Sequence, residues 1–159
     1  MAFLETVMVK GYQTLPPVAG KPVLDAGNYY PQRDGRISEL DSGFLTSSGL
    51  LQRDLPLARA VKVFNNIYYR HLASLARPAG APDRSALPIA GDDEAAKAAV
   101  TAFLDSIGYD TVDVGALAES WRQEPGHPAY GAPYGPFSDP AGTPASAAAI
   151  RAALSAARL

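Results

Sequence analysis

The sequence has 159 residues, 47% of them apolar and 19% charged, which is one domain's worth of chain. Its 14 basic and 16 acidic side chains lack the basic excess that a phosphate backbone demands, so no nucleic-acid partner is expected. Cysteine is absent, which removes disulfides, thiolate metal sites and a cysteine nucleophile, and no apolar run approaches the ~20 residues that span a bilayer.

Met1–Lys10 has neither the basic start nor the apolar stretch of a signal peptide. A soluble, cytoplasmic single domain over 1–159, with no membrane partner, is therefore expected. Lys21–Asp25 reads as the first clear strand, followed by the turn signal Ala26-Gly27-Asn28 and a loop to Gly35. Ser47 or Ser48 is placed to cap a helix with Leu50, Leu51 and Leu55 on one face, closed by Pro56. Arg59–Phe64 reads as a second strand, and Asn65-Asn66 as the cap of a helix from Ile67 to Ala76.

Ser85–Ala90 is a third strand. Asp92 or Asp93 then caps the strongest helix, Glu94–Ser106, with Ala95, Ala98, Ala99, Ala102, Phe103 and Ile107 at helical spacing and Gly108 as its stop. Tyr109–Val114 is a fourth strand. A long Pro/Gly/aromatic loop, 119–144, and a terminal alanine-rich helix, 145–158, complete the chain.

Strands alternating with helices predict an α/β fold with right-handed crossovers and a mostly parallel sheet. Ligands of such sheets lie beyond the carboxyl ends of the strands, so 25–30, 65–66, 91–93 and 115–121 are expected along one rim. Neither GxGxxG nor GxxxxGK[ST] occurs, so the sequence has no glycine-rich turn to cradle a diphosphate.

Four runs carry a family resemblance: Asp25-Ala-Gly-Asn-Tyr-Tyr-Pro-Gln-Arg-Asp-Gly35, Val61-Lys-Val-Phe-Asn-Asn-Ile-Tyr-Tyr69, Leu87-Pro-Ile-Ala-Gly-Asp-Asp93 and Val112-Asp-Val-Gly-Ala-Leu117. In this order they resemble the NADPH-dependent deazaflavin (coenzyme F-420 type) reductases and, more loosely, the cytosolic domain of the six-transmembrane metalloreductases. The resemblance runs from about Thr6 to Tyr134 and departs at Gly27, where the family has asparagine. It implies a truncated Rossmann-like, three-layer half that lacks the first strand–helix units, with Glu5–Lys10 as the remnant of a strand. It also implies that Asn65 and Asn66 lie against the nicotinamide and deazaflavin rings, with Trp121 and Arg122 near the substrate.

The candidate ligand residues are Asn28, Tyr29, Tyr30, Asn65, Asn66, Trp121 and Arg122; His71 and Asp25 are the candidate acid/base groups. Each has a plainer reading: asparagines cap helices, Asp25 closes a turn, His71 is held structurally, and loop aromatics cover a core. Asp92 and Asp93 suit a helix start better than a metal.

The expected function is binding of a planar organic molecule with a non-redox acid/base step, isomerisation or cyclisation, by a repurposed relative. The alternatives are half of a genuine reductase completed by another chain, or a non-catalytic binding or assembly module. No cofactor is expected for the isolated chain, and NADP with a deazaflavin if a nucleotide-binding half completes it. The resemblance also leaves the first strand as an edge, from which a homodimer through residues 1–20 is expected.

Overall fold

The computed structural model describes residues 2–4 and 17–158. Five strands form one sheet in chain order: β1 (Ala2–Leu4), β2 (Pro22–Asp25), β3 (Arg59–Lys62), β4 (Ala86–Gly91) and β5 (Asp110–Gly115). Six helices accompany them: α1 (Pro31–Asp34), α2 (Ser38–Asp41), α3 (Ser47–Asp54), α4 (Tyr69–Ser74), α5 (Glu94–Ser106) and α6 (Ala147–Ala156). The predicted long loop contains two 3₁₀ helices, Leu117–Gln123, which starts just before it, and Ala132–Tyr134. The expected strand at Glu5–Lys10, and most of the expected dimer segment 1–20, lie outside the described residues.

Alternation along the strands builds two cores. Leu24, Val61, Leu87 and Ile89 pack with Val100 and Leu104 of α5 and Ile150 and Leu154 of α6. Val23 and Ala60 point the other way, onto Leu51 of α3 and Leu117 of the long 3₁₀ helix. The result is a three-layer α/β architecture of the Rossmann-like class, with a mostly parallel sheet: β1–β2, β2–β3 and β4–β5 are parallel.

The β3–β4 pair is antiparallel, which corrects the expectation of a single ligand rim. The 63–85 connection, with the six-residue α4, re-enters the sheet at the end where β3 leaves it, so β4 runs back alongside β3. The carboxyl ends of β2 and β3 therefore lie beside the amino ends of β4 and β5. Residues 91–93 fall at the other end, where Arg59 Nε meets Asp93 Oδ2 at 3.4 Å. Pro88 fits within β4 because β3 pairs only with Ala90 and Gly91, beyond the missing N–H.

Three local expectations are corrected. Thr46, with its side chain accepting from Gly49 N, caps α3, rather than Ser47 or Ser48. Asn65 and Asn66 do not cap α4, which starts after Tyr68 without a side-chain cap. In α5, the buried face is Ala96, Val100 and Leu104, while Ala95, Ala98, Ala99 and Ala102 face solvent and Phe103 is half-buried. Branched side chains bury more apolar surface than alanine, so Val100 and Leu104 decide which face turns inward. Asp93 caps α5 as expected, accepting from Ala96 N at 2.8 Å. Among the described residues no helix is long and apolar enough to cross a membrane.

Candidate functional site

Beyond Lys62, β3 leaves the sheet through Phe64, whose φ of +68° is uncommon for any residue with a Cβ. This sharp exit turns Asn65 and Asn66 inward, against the loop that follows β2. Asn65 is buried and spends its whole side-chain amide on neighbours. Its Nδ2 donates to Gln123 O at 2.8 Å and Asn28 Oδ1 at 3.1 Å, and its Oδ1 accepts from Gln123 Nε2 at 3.1 Å. Asn28 Nδ2 returns a bond to Asn65 O at 2.8 Å. Asn66 Nδ2 donates to Ala129 O at 2.9 Å, and Asn66 O accepts from Gly131 N at 2.9 Å.

Over this floor lies a cavity of about 580 Å³, bordered by Asn28, Asn65 and Asn66 and by the rings of Phe64, Tyr68, Tyr130 and Phe137. Arg33 stands at its side. The Arg33 guanidinium is engaged by both oxygens of Asp34, at 2.6 and 2.9 Å, and that bond holds the Asp34 carboxyl below its ordinary range. The Tyr30 and Tyr130 hydroxyls are hydrogen bonded to each other, and burial pushes the Tyr130 phenol upward. Gly131 has φ +73°, and a Cβ there would come within 3.0 Å of the Phe137 ring, so a glycine lets the loop close over the cavity.

The two candidate acid/base residues are elsewhere. Asp25 is buried below the cavity, accepting from Gly27 N at 2.8 Å, Ser48 Oγ at 2.6 Å and Lys62 Nζ at 3.3 Å. Lys62, fully buried, also donates to Gly27 O at 2.6 Å and Ser47 Oγ at 2.8 Å. Ser47 in turn bonds Glu124 Oε1 at 2.6 Å. His71 is fully buried on α4, with Nε2 donating to Asp139 O at 2.7 Å. The Gly142 backbone packs so tightly on its ring that a Cβ would approach to 2.9 Å.

Tyr29 faces away, donating to Asp41 Oδ1 at 2.8 Å. Trp121 borders a second, separate groove of about 710 Å³ with Phe44, Asp92, Glu124 and His127. Its ring is flanked by the His127 ring at 5.1 Å and the Arg122 guanidinium at 4.5 Å. Arg122 itself borders a third, smaller hollow near Asp113 and Arg151. The structure thus brings Asn28, Asn65 and Asn66 together, with Tyr30 at the Tyr130 hydroxyl, and separates them from His71, Asp25, Tyr29, Trp121 and Arg122.

Sequence reasoning singles out the aromatic stretch 121–134, which holds Tyr130, as suited to a flat ligand, and misses Arg33, Phe64, Tyr68, Phe137 and Lys62. A lysine inside the strand run Ala60-Val61-Lys62-Val63 was the legible signal for the last. Among the described residues, no three His, Asp or Glu side chains are grouped to hold a metal.

No family model matches the chain. Over 53 residues it is 42% identical to the protein YjhV of Escherichia coli (strain K12), a stretch covering 33% of this chain and 39% of that one. It is also similar to the crystal structure of the hypothetical protein SMa0349 from Sinorhizobium meliloti. That match has TM-score 0.59 and 26% identity, over 72% of this chain and 55% of that one. A candidate F-420-dependent NADP reductase from Arthrobacter sp. FB24 matches at TM-score 0.49 and 25% identity, over 65% of this chain and 46% of that one. The chain spans from about two fifths to just over half the length of these proteins. With SMa0349 it shares a related fold.

Proposed function

We propose that the chain binds a flat, conjugated, uncharged organic ring in the cavity over the ends of β2 and β3. The observation that carries this reading is the cavity's construction, five aromatic residues around a floor of carboxamides. Aromatic walls suit the face of a planar ligand, and a few fixed amides set its orientation. The strained Phe64 backbone at this point supports the reading, because such conformations cluster where function over-determines them. Arg33, the one full cation on the wall among the described residues, is already engaged by Asp34, which favours a neutral ring over a phosphate.

Among the described residues neither carboxylate nor imidazole borders the cavity, so an acid/base step through His71 or Asp25 is not part of this proposal. Holding one ring against another for hydride exchange needs apposition and no protein acid or base. That chemistry fits the resemblance to the deazaflavin–NADP reductases, which would bring NADP and a deazaflavin as the two rings if a nucleotide-binding half is present.

Titration of the chain with lumiflavin or its 5-deaza analogue, followed by ring fluorescence, tests the reading. Saturable binding with a Kd on the order of micromolar is expected. Tyr130→Ala should weaken it roughly tenfold by removing one wall. Absence of saturation up to millimolar ring, or loss of binding in Trp121→Ala with Tyr130→Ala unaffected, would overturn it.

A further inference from the structure

The groove beside Trp121 combines apolar walls with negative charge. Phe44, Leu45, Leu117 and Trp121 border it, and Phe44 is 80% exposed. Asp41, Asp92 and Glu124 border it too, whereas no lysine or arginine among the described residues does.

The three carboxylates are not equivalent. Asp41 commits both oxygens, accepting from the Tyr29 hydroxyl at 2.8 Å and from Arg36 Nε at 2.9 Å. Asp92 uses Oδ1 alone, accepting from Leu117 N at 2.9 Å, and Glu124 uses Oε1 alone, accepting from Ser47. Asp92 Oδ2 and Glu124 Oε2 meet no donor among the described residues. Ion pairs draw the same line. Among the described residues every Asp and Glu pairs with a lysine or arginine except Asp92, Glu124 and Asp139, and Asp139 does not border the groove. Glu124 reaches Lys62 only through the Ser47 hydroxyl. That ammonium already faces Asp25, so one cation stands against two carboxylates.

The long 3₁₀ helix sets the spacing of the two spare oxygens. Asp92 is tied to Leu117, its first residue, and Glu124 follows Gln123, its last. At ~2.0 Å per residue, the seven residues of this helix put its two ends about 14 Å apart. Ala118 and Trp121 border the groove in between.

We infer that this groove binds a linear diamine, one ammonium at Asp92, the other at Glu124, and the methylene chain along the apolar walls. An ammonium brings three donors and the missing positive charge, and its bonds to a carboxylate are stronger than neutral ones. A lone ion pair in contact with water holds little. Two pairs joined by one chain reinforce each other, provided that the chain spans them. This site is separate from the ring cavity and does not rest on it.

Trp121 is the only tryptophan in the sequence, so its fluorescence reports on the groove. Titration with octamethylenediamine should change that emission saturably, with a Kd below about a millimolar. Trimethylenediamine has the same charges on a chain too short to span the helix, and should bind roughly tenfold or more weakly. Asp92→Asn and Glu124→Gln keep the oxygens that accept from Leu117 and Ser47 and lose only charge. Each should weaken the long diamine roughly tenfold. If a variant does not fold, the chain-length comparison on the wild type decides. Equal binding of the long and short diamines by the wild type would overturn the inference. So would an emission that fails to saturate, or a long-chain affinity that survives both substitutions, which would leave the apolar walls alone as the binder.

Discussion

The cavity over β2 and β3 and the groove beside Trp121 are similar in size, about 580 and 710 Å³, but opposite in electrostatic character. The cavity has aromatic walls and amides, and its cation is matched by Asp34. The groove has Asp41, Asp92 and Glu124, each already accepting from an internal donor: the Tyr29 hydroxyl, Leu117 N and Ser47 respectively. Asp41 ties its segment to the 29–36 loop, Asp92 holds the start of the long 3₁₀ helix, and Glu124 ties the end of that helix to α3. The one indole in the groove is flanked by His127 and Arg122. Similar volumes therefore do different work: the cavity offers neutral amides and a matched cation, while in the groove Asp92 and Glu124 each keep a spare carboxylate oxygen.

The two regions meet at Lys62, and removing it should give the largest effect. Its ammonium bonds Asp25 and Gly27 on the cavity side and Ser47, hence Glu124, on the groove side. Lys62→Ala leaves a buried carboxylate without its cation, which typically costs about 3–5 kcal/mol. Urea denaturation should show that loss, and the pair Lys62→Met with Asp25→Asn should recover part of it by removing both charges. A cost for Lys62→Ala below about 1 kcal/mol would place this pair with weak surface bridges and undo its role as the joint.

Asn65 and Trp121 separate the regions next. The sequence reading expects both to serve ligand more than fold. Asn65→Ala deletes three side-chain bonds that tie 28, 65 and 123, so a stability loss of about 2–3 kcal/mol is expected alongside weaker ring binding. Trp121→Ala acts in the groove, and ring affinity should change by no more than about twofold, as for independent sites. Paired calorimetry and denaturation check both. Equal loss of ring affinity in the two variants would mean that cavity and groove form one site.

What the sequence disclosed follows from how local each signal is. β2, β3, β4 and β5 appear within a residue or two of their predicted bounds, and α5 has the predicted bounds, because alternation, Asp93 and Gly108 act over a few residues. The direction of β4 depends on how far the 63–85 connection travels, which composition does not specify. That single reversal moves 91–93 away from the cavity and accounts for the false grouping of Trp121 with Asn65. In α5 two alanine-bearing faces share the helical period, and only contact with the sheet chooses between them. At the site, Asn28 and Asn65 were legible as polar residues at strand ends. Tyr130 and Phe137 come from a loop some 65 residues farther along, with nothing local to mark where it folds back.

The smallest expected effect concerns pH and lies on the cavity side. Tyr134 is fully buried beneath Asn66, its hydroxyl donating to Ala86 O at 2.8 Å, and burial raises its pKa above the ordinary 10.0. An acid whose folded pKa is raised keeps its proton in the native state while the unfolded chain releases it. Its contribution is thus fully present below pH 10 and is lost as pH rises beyond. The slope for one such group is at most about 1.4 kcal/mol per pH unit. Tyr109, pushed up to about 12 by burial, adds to the same alkaline decline in the wild type. Tyr134→Phe should therefore cost about 1 kcal/mol at neutral pH, for the lost hydrogen bond, and then decline less steeply than wild type between pH 10 and 11. Trp121→Ala, which leaves Tyr134 in place, should keep the wild-type slope. Parallel alkaline slopes for wild type and Tyr134→Phe would mean that the phenol ionises as readily in the fold as outside it, and that water reaches the floor beneath Asn66. A wet floor would give the buried Asn66 Oδ1, which no described donor meets, a water partner, so this modest comparison of slopes also tests how dry the cavity floor is.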